Sequence, residues 1–326
     1  MGTSVLVTGG AGYIGSHVVR RLVEAGHAVT VYDNLSTGRR EAVLGAPLVV
    51  ADLADGDALR RCFAAGDFVA VLHFAASIVV PESVADPLSY YANNTANTLG
   101  LIRCCAEFGV ERFVFSSTAA VYGEPPGGVA DESAPVGPIN PYGASKAMSE
   151  RILSDHANAS AFRHVTLRYF NAAGADFEAR IGQSFPGATH LIKVACEAAV
   201  GKRAAVTVFG TDYDTPDGTG IRDYIHVEDL AAAHLDALDH LAAGGESLVL
   251  NCGYGHGASV REVLDCVKRV SGVDFPVEEG PRRAGDPARL IARSARIRET
   301  LGWRPRHDDL ETIARTALAW ERKLAG

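Results

Sequence analysis

The chain lacks any apolar run of the roughly 18 or more residues that a membrane-spanning helix requires. It also lacks an excess of positive charge: 31 Lys and Arg stand against 39 Asp and Glu in 326 residues, a formal net charge of −8. The first absence excludes a helical span. The second argues against nucleic acid or an anionic membrane as the main partner, because both recruit basic surfaces. Cysteine is sparse and unpatterned. Cys62, Cys104, Cys105, Cys196, Cys252 and Cys266 form no CxxC pair and have no histidine partner at metal-ligand spacing, so no metal site is expected. The thiols read as buried and reduced, which makes the cytoplasm the expected location. Neither repeats nor low-complexity stretches occur. A cleaved signal peptide is not expected, since a glycine loop starts at Gly9 and would leave with it. Leu6 stands where an N-myristoylation signal prefers Ser or Thr. What is present, 47% hydrophobic and 21% charged residues, is ordinary for a globular enzyme and long enough for about two domains.

Short apolar strands alternate with helical patterns through the first half. Ser4 to Thr8 runs directly into the glycine loop, and Tyr13 to Ala25 places Ile14, Val18, Leu22 and Val23 on one helical face, with Gly26 after its end. Further strands are expected over 28–32, 47–50, 68–74, 112–116 and 165–169, with helices notably over 87–108 and 141–156. Near-continuous apolar strands alternating with helices imply an α/β fold, a Rossmann-type doubly wound parallel sheet covered on both faces. After Phe170 the pattern becomes irregular, although 227–241, 259–270 and the tail from Asp308 read as helices. The expected division is a dinucleotide-binding domain over 1–169 and a smaller C-terminal substrate-binding domain mainly over 170–326. Segments near 223–251 return to the first domain, including a strand over 248–251.

Gly9, Gly12 and Gly15 form a GxxGxxG loop between a strand and a helix. Glycine there permits a tight turn and lets backbone N–H groups at the helix N-terminus approach a pyrophosphate. Asp33 ends the second strand, placed to accept hydrogen bonds from the adenosine ribose hydroxyls. A carboxylate at that point repels a 2′-phosphate, so the expected cofactor is NAD rather than NADP. Asp52 and Leu53, after the third strand, suit adenine. Phe74, Ala75 and Ala76, after the fourth, offer small residues where backbone passes close to a cofactor.

Chemistry is indicated by Tyr142 and Lys146, one helical turn apart, beside Ser116, Ser117 and Thr118 at the end of a strand. A tyrosine has a reference pKa of about 10 and is a weak base near neutrality. A lysine cation on the same face, together with a positive nicotinamide, favours the phenolate. Thr118 can hydrogen-bond the reacting hydroxyl and relay its proton.

These residues sit in longer motifs: GGAGYIGSH at 9–17, YDNLSTG at 32–38, HFAAS at 73–77, FSSTAAVYG at 115–123, YGASK at 142–146, RYFNAAGA at 168–175 and GTDYDTPDGTGIRDYIHVEDLA at 210–231. They span nearly the whole chain, which resembles the extended short-chain dehydrogenase/reductases and, within them, the UDP-glucose (UDP-galactose) 4-epimerases. The resemblance implies that Tyr142, Lys146 and Thr118 are catalytic. A 4-keto sugar forms as C4 hydride passes to tightly held NAD, turns over, and is reduced on its other face. The cofactor residues it implies add Tyr13, Ile14, Asn34, Ser36, Thr37, Gly38, Asn93, Ser116, Tyr169 and Phe170 to those already named. The nucleotide half of a UDP-hexose substrate falls to Asn171, His190, Leu191, Val206, Val208, Phe209, Arg222, Tyr224, Arg283 and Asp286, with Thr118 at the sugar. Two arginines suit a diphosphate. His226 and Asp229 read instead as a structural hydrogen bond and a helix-start carboxylate, and Trp303 as C-terminal core.

Departures from the pattern carry information. Thr118 stands where many epimerases have Ser, Ile78 where some have a lysine near the cofactor phosphates, and His190 where an asparagine is frequent. Leu290 falls where relatives vary a residue that controls room for an N-acetyl group, and its bulk points to hexoses without one. Ala119 and Ala120 directly follow Thr118, where a 4,6-dehydratase would need an acidic pair. No cation is evident for a uronate carboxylate. The remaining alternatives are another nucleotide-sugar 4-epimerase (for UDP-N-acetylglucosamine or UDP-glucuronate) and a noncatalytic NAD-sensing protein. The resemblance further implies a homodimer joined through the helices over 87–108 and 141–156.

Overall fold

The computed structural model describes residues 2–283 and 285–326. Seven strands build its main sheet: β1 (Ser4–Thr8), β2 (Ala28–Asp33), β3 (Leu48–Val50), β4 (Ala70–His73), β5 (Arg112–Thr118), β6 (Arg163–Tyr169) and β7 (Leu248–Cys252). All neighbours pair parallel, in the order β7-β6-β5-β4-β1-β2-β3. This is the doubly wound arrangement expected from the alternation of strands and helices. The strand order reverses between β1 and β4, opening a crevice beyond their carboxyl ends, where open α/β sheets bind ligands.

The apolar character of the strands follows from burial on both faces. Val5 and Val7 point to one side, against Val18, Val19 and Leu22 of α1 (Tyr13–Glu24), while Leu6 points to the other, with Leu59 and Phe63 of α2 (Gly56–Ala65). The second face is completed by α3 (Asn97–Glu107) and α4 (Pro141–Ala159), through Leu101, Ile102 and Leu153. The helix expected over 87–108 is interrupted. A turn at Pro87–Tyr90 leads into π-helical Tyr91–Ala96 before α3 begins. Inside that widened stretch the Asn94 carbonyl accepts from both Thr98 and Ser149, and the Asn94 amide donates to Ser77 and Ser145.

In the second half, α5 (Leu191–Ala199) and several short strand pairings escape the sequence pattern. Strands of two to four residues are too short to show alternation. Asn171–Ala173 pairs with Tyr224–His226, and Val206–Phe209 with Val277–Gly280. Arg289–Ala292 pairs with Ile221–Arg222 on one side and Val129–Ala130 on the other. The expected helices appear as α6 (Val227–Ala242), α7 (Val260–Ser271) and, after Ala295–Leu301 (α8), α9 (Leu310–Ala325). Ser259 and Glu262 form a reciprocal capping box that starts α7.

His226 caps α6, accepting from the Glu228 N–H through Nδ1, while its Nε2 pairs with Thr316. Asp229 does more than lie in the first turn of α6. Its carboxylate accepts from the Tyr254 hydroxyl and from the backbone N–H of Arg306 and His307, anchoring the C-terminal segment. Trp303 is fully buried and donates to the Asp229 carbonyl at 2.9 Å. Trp303→Ala is therefore expected to lower stability by about 3–5 kcal/mol, read by urea unfolding, because a large cavity results.

Candidate active site

The glycine loop is shaped by contacts that admit no side chain. Gly9 has φ +74°, and a Cβ there would lie 2.4 Å from the Ala75 nitrogen. A Cβ on Gly15 would lie 2.2 Å from the Gly9 carbonyl oxygen. Gly12 precedes α1 with no side-chain cap, and no acidic residue occupies the first turn. The N–H groups of Tyr13, Ile14 and Gly15 thus open an uncapped, electropositive helix end, which suits a pyrophosphate.

Asp33 is buried at the end of β2. One carboxylate oxygen accepts from the Ala11 N–H at 2.9 Å and the other from the Leu35 N–H at 2.8 Å. Burial raises its pKa, and these two N–H groups pull the other way. The loop after it folds back on the glycine loop: Arg39 N donates to the Ala11 carbonyl, and a Cβ on Gly38 would meet Ala11 backbone at 2.7 Å. Asn34 donates to Asp52 at 2.7 Å and accepts from the Ser36 N–H, while Thr37 is exposed beside them. Leu53 packs on the core cluster of the second sheet face. Phe74, Ala75 and Ala76 leave β4 half-buried, and Asn93 donates to Ser77 at 2.9 Å just beyond. A cradle without Cβ atoms, an uncapped helix and a buried carboxylate with oxygen lone pairs to share fit a dinucleotide lacking a 2′-phosphate.

Tyr142 and Lys146 occupy the first two turns of α4, which Asn140 starts by accepting from the Gly143 N–H at 2.9 Å. Both are buried. Lys146 donates to the Ser116 carbonyl at 2.9 Å and lies 4.8 Å from the Phe115 ring centroid. Thr118, at the end of β5, accepts from the Ala120 N–H at 3.1 Å. The hydroxyls of Tyr169 and Ser116 are 2.5 Å apart. Burial pushes Tyr142 up to about 12, against a hydrogen bond with Thr118 that pulls it down. Burial takes Lys146 down to about 7, with Glu150 pulling it back up. In the protein alone, burial outweighs the activation expected from the lysine, and Lys146 is held by backbone rather than by the phenol. The positive charge of a nicotinamide would add to Lys146 in favouring the phenolate.

The residues expected to face a substrate come from separate elements. Arg283 stacks 3.8 Å from the Phe209 ring centroid, on a strand whose Val206 and Val208 are buried. Arg222 lies 3.9 Å from Asp286 and donates to the Ile221 carbonyl. Asn171 pairs with buried Tyr224. His190 precedes Leu191 at the start of α5, its ring centroid 6.4 Å from that of Tyr13. Among the described residues its Nδ1 is buried without a partner, and burial, then Lys193, lowers its pKa to about 4. Leu290 is buried in a cluster with Ala119, Tyr122 and Phe170, beside the end of β5. The Tyr13–His190 contact sets His190 beside the helix that follows the glycine loop, and Leu290 shares a cluster with Phe170. Ile78 is largely exposed.

One group escaped the sequence reading. Glu150 accepts from Ser117 and Arg168, Arg168 donates to Tyr122, and Tyr122 donates to Asn251. Its signals were an acid one turn beyond Lys146 and an arginine inside an otherwise apolar strand. Gly15→Ala is expected to abolish retention of a dinucleotide while the protein still folds, read as nucleotide released on denaturing the purified protein.

The model of the NAD dependent epimerase/dehydratase family matches residues 5–253. A UDP-glucose 4-epimerase of Azospirillum brasilense is 58% identical over 321 residues, covering 98% of this chain and 92% of the relative. Another, from Rhizobium meliloti (strain 1021), is 47% identical with 98% and 97% covered. The structure of UDP-glucose 4-epimerase from Brucella ovis in complex with NAD superposes with a TM-score of 0.94 at 46% identity, covering 97% of this chain and 98% of that one. The enzyme from Bifidobacterium longum in complex with NAD+ and UDP gives 0.95 at 38% identity, with 98% of both chains covered. On the family match over residues 5–253 and the full-length likeness to these enzymes, the chain belongs to the NAD dependent epimerase/dehydratase family.

Proposed function

We propose that the chain is an NAD-dependent UDP-glucose 4-epimerase, interconverting UDP-galactose and UDP-glucose through a transient 4-keto sugar. The observation that carries this reading is the placing of Tyr142, Lys146 and Thr118 at the carboxyl end of β5, beside the glycine cradle, in a chain 58% identical to such an enzyme. Residues 1–169, with the returning segments near 223–251, hold the cofactor, and 170–326 mainly hold the UDP-sugar. NAD bound in the cradle supplies the acceptor and later the donor of the C4 hydride.

Tyr142 takes the proton of the sugar 4-hydroxyl and returns it, with Thr118 orienting that hydroxyl. Lys146 supplies positive charge beside the phenol. Arg222 and Arg283 counter the diphosphate charge, Phe209 contacts uracil, and Asp286 accepts from a ribose hydroxyl. Asn171, Tyr224, His190, Leu191, Val206 and Val208 shape the rest of the nucleotide pocket. The Gly9, Gly12 and Gly15 loop with Tyr13 and Ile14 takes the pyrophosphate. Asp33 takes the adenosine ribose, and the 34–38 loop, Asp52, Leu53, 74–76, Asn93, Ser116, Tyr169 and Phe170 enclose the remainder.

Buried Leu290 beside Ala119 and Phe170 favours hexoses without an N-acetyl group. Exposed Leu99 and Met148 on α3 and α4 support a homodimer joined through those helices; sedimentation as a monomer at micromolar concentration would overturn it. Six free, buried cysteines favour the reducing cytoplasm, and no helix among the described residues is long and apolar enough to cross a membrane.

The direct test incubates purified protein with UDP-galactose and no added NAD. Formation of UDP-glucose to an equilibrium mixture is expected; no conversion even with NAD added would overturn the reading. Tyr142→Phe is expected to reduce kcat by about 10²–10⁴-fold, with UDP affinity retained, because proton transfer alone is removed. Unchanged biological activity of that variant would instead favour an NAD sensor. Leu290→Ala is expected to raise conversion of UDP-N-acetylgalactosamine relative to UDP-galactose, read from the two rates.

A further inference from the structure

Lys146 must carry positive charge in surroundings that oppose it. Burial favours the neutral amine and takes the group down to about 7. The groups facing it come from four elements. On α4 they are Tyr142 one turn before and Glu150 one turn after. From β4 comes His73, held between the hydroxyls of Thr8 and Thr98 and kept neutral by burial and by Lys146 itself. From β5 come the Ser116 carbonyl, the Phe115 ring and Thr118, and from β6 comes Tyr169, paired with Ser116. Of these groups, Glu150 alone brings a carboxylate.

That carboxylate is fixed from two strands. Ser117 of β5 donates to it at 2.5 Å, and Arg168 of β6 donates through Nε at 3.0 Å and Nη2 at 2.5 Å. Both charged side chains are only 7% exposed. Arg168 also donates to the Tyr122 hydroxyl at 3.0 Å, and Tyr122 donates to Asn251 at 2.7 Å. The Asn251 amide donates to the Ala130 carbonyl at 3.0 Å, beside the strand that carries Leu290. Buried ion pairs are commonly no more stabilising than apolar residues of the same volume. A pair kept one turn from the lysine therefore calls for a role other than stability.

We propose that Glu150, pinned by Arg168 and Ser117, is a positioning residue of the reaction that keeps Lys146 cationic beside Tyr142. This rests on the epimerase reading. Burial favours the neutral amine, so activity falls on the basic side as Lys146 loses its proton, and the carboxylate moves that loss to higher pH. Gln at this position keeps the shape and an acceptor for Ser117 but removes the charge.

In Glu150→Gln the basic limb of the kcat profile is expected to move down by about one pH unit, with KM for UDP-galactose unchanged. Titration of the Lys146 ammonium, read by NMR against Lys146→Met, is expected to move down in pH; this readout requires no turnover. Tyr122→Phe cuts the network beyond Arg168 and leaves the charge, so it should lower the melting temperature and leave both titrations in place. If Glu150→Gln does not fold, Glu150→Asp serves, with a smaller shift in the same direction. Superimposable titrations for the charge variant and the parent, or an equal shift in Tyr122→Phe, would overturn the proposal. Failure of the parent to convert UDP-galactose would count against the epimerase reading alone, because the Lys146 titration still tests Glu150.

Discussion

The site depends on the parallel pairing of β1 between β2 and β4. That register sets Thr8 opposite Tyr32 on one side and His73 on the other, so three chain segments leave the sheet at the same edge. The glycine loop, Asp33 and the Phe74–Ala76 segment therefore meet without any long side chain reaching across. Continuing outward, His73 pairs with Phe115 and Thr118 with Tyr169, which places the chemical residues along the same edge. A slip of one residue at β1 would turn Val5 and Val7 to the opposite face and move the loop away from Asp33.

Buried polar groups join the second half to this frame. Glu228, in the first turn of α6, meets His17 at 2.5 Å and also pairs with Arg20 and Arg21, all three on α1. Within the second half itself, Lys193 of α5 pairs with Glu321 of α9 at 2.5 Å. Tyr13, which begins α1, donates to the Gly174 carbonyl at 2.7 Å, so the helix after the glycine loop also contacts the second half. Breaking one partner of such a contact strands a buried charge or donor, so the groups specify one arrangement of the two halves more strongly than they add stability.

Legibility in the sequence followed range. The main sheet could be read because most of its strands carry a short apolar run, and those of the first half alternate with helical periods. The reading failed where strands shrank to two or three residues, as at Ile221–Arg222 and Val129–Ala130, whose pairing is decided by distant partners. It failed also at Tyr91–Ala96, where hydrogen bonds from Thr98 and Ser149 to one carbonyl accompany a widened turn that residue periodicity does not signal.

The sequence by itself determined which chemistry the chain can perform. Glycines at 9, 12 and 15, a carboxylate after the second strand, and a tyrosine one turn before a lysine are local spacings, and local spacing survives in one dimension. The tertiary structure alone decided the charge state in which those groups sit. Tyr142 and Lys146 are displaced from their ordinary values by burial, and burial is a property of the packed interior. It also decided that Glu150, Arg168, Tyr122 and Asn251 form one line of hydrogen bonds, since residues from four elements meet only when α4 and β7 fold onto the sheet.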